Sequence, residues 1–248
     1  MDIMLNARDM KVLTIAFCLY LMTGLIAFAQ QIPEYRGVYT GDLVWEGEVN
    51  MVADVLVLRG GSLKIRAGTR VNVYPAEGTK IDPEYLSSQT ELLVRGRIDI
   101  QGTPDAPVRF VIVDKETTEQ IAWAGITLDN STESRIHHAQ IERADIGIRC
   151  VRSSPEIVGN SIKDSRYGII VQNESHPRIT GNQLANGEGG IFCWHNSNPE
   201  IRENRIVGHD EEALFVDASS HPRLGYNLVS NNAIGLALYS RTLRHQEV

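Results

Sequence analysis

A chain of 248 residues, 42% hydrophobic and 6% aromatic, has room for one or two packed domains. Its net charge of −7, with no Lys/Arg cluster, argues against a nucleic-acid partner. Residues 1–29 read as a secretory signal peptide. Lys11 supplies the positive start, Val12 to Phe28 the apolar run, and Ala27-Phe28-Ala29 the small-x-small cleavage site. Met10 is an alternative start. Cys18 lies mid-segment, which argues against a lipoprotein anchor. Cleavage leaves no membrane span. The chain is therefore expected outside the cytoplasm: periplasmic, outer-surface or extracellular.

Residues 30–50 form a lead-in, placed as a cap. From 51 onward, apolar residues alternate with period two, as in Val55, Val57, Leu63, Ile65, Leu92 and Val94. Segments 75–90 and 114–122 read as loops leaving this pattern. From Gly125 the chain repeats. Pro155, Pro177, Pro199 and Pro222 lie 22, 22 and 23 residues apart. Each is followed two residues on by an aliphatic (Ile157, Ile179, Ile201, Leu224) and five on by Asn160, Asn182, Asn204 and Asn227. A small residue then precedes the next strand: Gly168, Gly190, Ala213, Gly235. The tail 241–248 is polar.

Short strands repeating every ~22 residues predict an all-β, single-stranded parallel β-helix over 51–240, of about seven to nine turns. Stacked in register, equivalent residues lie about 4.8 Å apart. The outward residue after each proline, with Arg135 from the earlier turn that lacks the proline, then forms the row Arg135, Glu156, Arg178, Glu200, Arg223, alternating in charge at every step. Like charges would repel there, so the row helps set register. Each exposed pair adds only about 0–1 kcal/mol. The asparagine row suits turns, where Asn tolerates left-handed backbone and side-chain amides can bond up the stack. Cys150 and Cys193 share an inward row two turns apart, with Val171 between. That is roughly 9–10 Å, beyond disulfide reach, so two free buried thiols are expected.

These "s-x-P-x-I-x-x-N-x-I…G-I" repeats, from about Gly125 to Tyr239, resemble the right-handed parallel β-helix proteins of the pectate-lyase-like superfold. So do the entry segments Gly61 to Thr69, Leu93 to Gly96 and Gly102 to Phe110. The resemblance implies the right-handed coil. It also implies three kinds of function: carbohydrate binding, sugar cleavage, and a periplasmic role in maturing the copper site of nitrous-oxide reductase. The matching residues are turn and core residues, so they speak for architecture rather than activity.

Sugar-cleaving β-helices carry carboxylates on one face. Here Asp145, Arg166, Glu188 and the run Asp210, Glu211, Glu212 fall near one corner of successive turns. Arg166, Glu188, Asp210, Glu211 and Glu212 are the catalytic candidates for a lyase, hydrolase or epimerase, though their alternating charge reads equally as a register ladder. The third interval's extra residue lies at 207–213. His137-His138 face opposite sides, His176 and His221 lie two turns apart, and His195 and His209 stand alone. No set has ligand spacing, so neither metal nor cofactor is expected, with Ca²⁺ entering only for a lyase. An outward row is the binding candidate: Ile170, Phe192 and Phe215, with Trp194 and Tyr239 further along their strands. With no catalytic set, the leading reading is a non-catalytic surface-binding or scaffold module for a polysaccharide or an envelope protein. The alternatives are a carbohydrate-active enzyme and a periplasmic maturation factor.

Overall fold

The computed structural model describes residues 31–76, 87–113 and 121–239. The expected signal peptide 1–29, most of the expected loops 75–90 and 114–122, and the tail 241–248 lie outside the described residues. Among the described residues every regular element is a strand. They wind into a right-handed parallel β-solenoid of about 8 turns, spaced about 22 residues apart.

Each turn visits three faces. Face 1 is an 8-stranded sheet running from Asp42–Trp45 through Arg97–Gln101 and Glu156–Val158 to Arg223–Gly225. Face 2 runs from Glu48 through Arg70–Val73 and Ser161–Lys163 to Leu228–Ser230. Face 3 runs from Val57 through Glu91–Val94 and Tyr167–Gln172 to Ile234–Leu238. The long strand Glu48–Val57 starts in face 2 and ends in face 3, so these two faces count as one 16-stranded sheet.

Period-two alternation points one set of side chains inward on every rung. Ile157, Ile179 and Ile201 stack on face 1, Ile162, Leu184 and Ile206 on face 2, and Ile169, Ile191 and Leu214 on face 3; all are buried. Cys150, Val171 and Cys193 are successive rungs, and both thiols are free and buried.

Two polar ladders run inside this core. Asn160 Nδ2 donates to Asn182 Oδ1 at 2.9 Å, and Asn182 to Asn204 at 2.9 Å. Each amide also donates to a backbone carbonyl, and each amide oxygen accepts the N–H of the asparagine one turn before. The left-handed backbone falls one residue earlier than the asparagine: Gly159, Gly181, Glu203 and Tyr226 have φ of 66°, 67°, 56° and 54°. The asparagines are there for buried hydrogen bonding, since their burial would otherwise strand polar groups. The second ladder is Ser131, Ser153, Ser175, Ser197 and Ser220, where each N–H donates to the next hydroxyl.

The charged row stacks in register and is two rungs longer than the proline repeat indicates. Lys64 and Asp99 precede Arg135, Glu156, Arg178, Glu200 and Arg223. Asp99–Arg135 closes at 3.1 Å and Glu156–Arg178 at 3.6 Å, whereas Glu200 turns sideways to Arg202 at 2.6 Å. Glycine at the corner before face 3 is steric. A Cβ on Gly168 would lie 2.4 Å from Leu184, and one on Gly190 would lie 2.2 Å from the Ala213 carbonyl.

Candidate functional site

The outward row of face 3 runs Leu56, Leu93, Thr127, Arg149, Ile170, Phe192, Phe215, Ala237. Its apolar members do not form one open stripe. Ile170 is 3% and Phe192 5% exposed, Phe215 and Trp194 are half-buried, and Tyr239 is 62% exposed. The open part of the row therefore lies at Trp194, Phe215 and Tyr239.

These rings pack on one another. Phe192 and Phe215 stack at 5.3 Å with 10° between planes. Trp194 stands edge-on to both, at 5.7 and 6.0 Å, and Tyr239 tilts onto Phe215 at 5.2 Å. The fifth ring, Tyr167, meets Phe192 at 5.0 Å and 71°. Sequence alternation does not single out Tyr167, which is half-buried and stacks in register on Gly189 of the next rung. Gly189 leaves room for the contact, since a Cβ there would lie 2.2 Å from the Phe192 ring.

The titratable corner adjoins this cluster. Arg166 pairs with Asp145 at 2.8 Å and lies over the Tyr167 ring at 5.2 Å. The Tyr167 hydroxyl bonds Glu188; burial and the nearby Glu188 and Glu211 carboxylates push its pKa up. The Glu211 N–H donates to the Glu188 carbonyl at 2.7 Å, so these two are successive rungs. Asp210 is exposed, and its N–H donates to Gly187. The extra residue of the long interval sits here: Asp210-Glu211 links His209 to Glu212, where Glu188 alone links Gly187 to Gly189. Among the described residues, no ion pair joins Arg166 to Glu188, Asp210, Glu211 or Glu212. The structure thus brings Arg166, Glu188 and Glu211 around a tyrosine in a stacked ladder.

Buried Asn and Ser ladders inside a right-handed coil of parallel strands define a β-helix of the solenoid class. Residues 84–245 match the family described as periplasmic copper-binding protein (NosD), and the chain belongs to that family. Its compartment is the periplasm. No curated protein matches it. Among the described residues, no helix is long and apolar enough to cross a membrane.

The family description corrects the expectation of a chain without a cofactor, because the family is named for binding copper. Ligand spacing misses this, as it asks for a complete donor set within one chain. The described residues do not fit a copper cradle. They contain no group of three or more His, Cys, Asp or Glu that could hold a metal ion. Burial pushes the Cys193 thiol up to about 12 and Cys150 higher still, which suppresses the thiolates that ligate metals. His176 and His221 lie two rungs apart, roughly 9–10 Å, too far to share an ion. The His176 Nδ1 also accepts the Asn198 N–H at 3.1 Å.

Proposed function

We propose that this chain is a non-catalytic periplasmic scaffold that docks an envelope protein through Trp194, Phe215 and Tyr239, backed by Ile170, Phe192 and Tyr167. The observation that carries this is the ring geometry. Phe192 and Phe215 lie face to face, and Trp194 and Tyr239 lean on them. Sugar rings need a free aromatic face to stack on. Here much of the face area is already used between the rings, and what is offered is an apolar, Trp/Tyr-rich surface of the kind enriched in protein interfaces. The acids at 188 and 210–212 serve the scaffold, with Arg166 held by Asp145.

The test is site-specific photocrosslinking in the periplasm, with the crosslinker at Trp194, at Phe215, or at Lys64 on face 1. A discrete protein adduct from the first two positions only, lost in Tyr239→Ala, is the expected result. Adducts to polysaccharide, or release of unsaturated or reducing sugar ends by the purified protein, would replace this reading with the carbohydrate one.

A further inference from the structure

The first turns carry a notch, several rungs along the coil from the aromatic cluster. It arises from unequal corners between faces 3 and 1. The corner after Val57 spans Leu58 to Gly61, and the corner after Asp129 spans Asn130 to Ser134, but the one between them is only Arg95-Gly96. The middle rung therefore recedes between its neighbours. Its floor is backbone, because Gly96 is packed so tightly that a Cβ would lie 2.2 Å from the Gly61 carbonyl. The resulting notch is a solvent-open depression with a volume of about 780 Å³.

Four guanidinium groups line it: Arg59, Arg95, Arg97 and Arg152. The Asp129 carboxylate, only 8% exposed, accepts from Arg95 Nε at 3.2 Å and Arg152 at 2.7 Å, which fixes both side chains. Asn130 also accepts from Arg152 Nε at 3.1 Å. Among the described residues, Arg97 has one ion-pair partner, the open Glu133 carboxylate at 3.9 Å. Arg59 is exposed and has no ion-pair partner among the described residues. Among the described residues, Asp42, Asp129 and Glu133 are carboxylates at or beside these guanidinium groups.

The rest of the lining sets the chemistry. Thr132 offers a hydroxyl; the Ser62 hydroxyl donates to Asp42 at 2.6 Å and the Asn130 amide to Asp129 at 2.8 Å, which leaves the Ser62 lone pairs, the second Asn130 N–H and the second Asp42 oxygen, and the remaining positions are glycine. No apolar side chain lines the cleft, which leaves nothing to bury a lipid chain or an aromatic ring. Guanidinium forks match the planar or tetrahedral oxyanions of carboxylates and phosphates.

We propose that this notch binds a small, hydroxyl-rich molecule carrying one oxyanion, a phosphate ester or a carboxylate. Arg59 and Arg97 close on the oxyanion. Arg95 and Arg152, preset by Asp129, form the fixed wall. Ser62, Asn130, Thr132 and Asp42 take the hydroxyls. This site is independent of the aromatic cluster, so either assignment can fail alone.

Calorimetric titration of the intact chain tests it, with glycerol 3-phosphate, glucuronate, glucose and inorganic phosphate as probes. Glycerol 3-phosphate or glucuronate is expected to bind, and which of them binds tells phosphate ester from carboxylate. Glucose is expected not to bind, and inorganic phosphate to bind more weakly than the ester. Arg59→Gln and Arg97→Gln should each weaken binding about ten-fold or more. Arg223→Gln, an equally exposed arginine on the last rung, should leave it unchanged. Both notch arginines are exposed, so unchanged circular dichroism separates loss of binding from loss of fold. Equal binding of glucose, phosphate as tight as the ester, no binding by any probe, or an equal loss in Arg223→Gln would each overturn the proposal.

Discussion

The two ends of the coil solve the same problem differently. A parallel solenoid ends in a cross-section of its own core and a row of unpaired backbone groups. At the N-terminal end, strand Glu34–Tyr39 pairs in parallel with Glu48–Val57 and continues the sheet. Tyr35 and Tyr39 pack against the core there, with the Tyr35 ring 4.9 Å from Trp45, which is fully buried. At the other end, inward rows are open to solvent: Leu224, Leu236 and Leu238, which stack on Ile201, Leu214 and Val216, are 42, 43 and 62% exposed. The closed end is bound by aromatic packing, and the open end carries the most exposed ring of the aromatic cluster, Tyr239. Stability and recognition are thus expected to concentrate at opposite ends.

The sharpest contrast is core deletion. Trp45→Ala should cost about 3–5 kcal/mol, whereas Leu238→Ala on the last rung should cost less than about 1 kcal/mol, both read by denaturant unfolding. Equal losses would mean that the last rung is as well packed as the first. The corner glycines come next. Gly190→Ala drives a methyl into the Ala213 carbonyl and should cost about 1–3 kcal/mol, while Gly235→Ala, whose nearest neighbour is Val229 at 3.7 Å, should be nearly silent. In the buried ladder, Asn182→Ala strands the Asn160 N–H and should cost about 1–3 kcal/mol.

Two smaller effects depend on pH. Burial pushes the His209 imidazole below its ordinary value, so the folded chain favours the neutral ring. Stability should be full above the unfolded value near 6.5 and fall as pH drops below it, and His209→Gln should flatten that slope. Burial pushes the Asp217 carboxyl up, but hydrogen bonds from the His195 N–H, Ser220 and Ser219 outweigh it and hold the carboxyl down. Its contribution should be present above about pH 3.8 and lost as pH falls through the lower folded value, a loss absent in Asp217→Asn. The smallest effect is in the charge row. Glu200→Lys between Arg178 and Arg223 should cost at most about 1 kcal/mol, and less at high salt.

Much of the architecture was legible because a repeat states the same physics several times. The prolines, the Ile157/Ile179/Ile201 row and the alternating charges each report one register, and the ladder from Lys64 to Arg223 agrees with all of them. The asparagine row was legible as a row but not as a buried network, because spacing does not say which way a turn residue points. The aromatic row was legible only in part. Period-two alternation put Phe192 and Phe215 in one outward row with Trp194 and Tyr239 near it, but it did not single out Tyr167, which meets Phe192 across neighbouring rungs.

The sequence by itself determined the coil, its pitch, its register and its free buried thiols, since these follow from short-range periodicity and the fixed spacing of stacked strands. The tertiary structure decided which outward rings remain open and that Arg166 is spent on Asp145. It also decided that a two-residue corner opens a notch walled by Arg59, Arg95, Arg97 and Arg152. Those outcomes depend on corner lengths and on neighbours one and two rungs away. A one-dimensional pattern names such neighbours but does not aim their side chains.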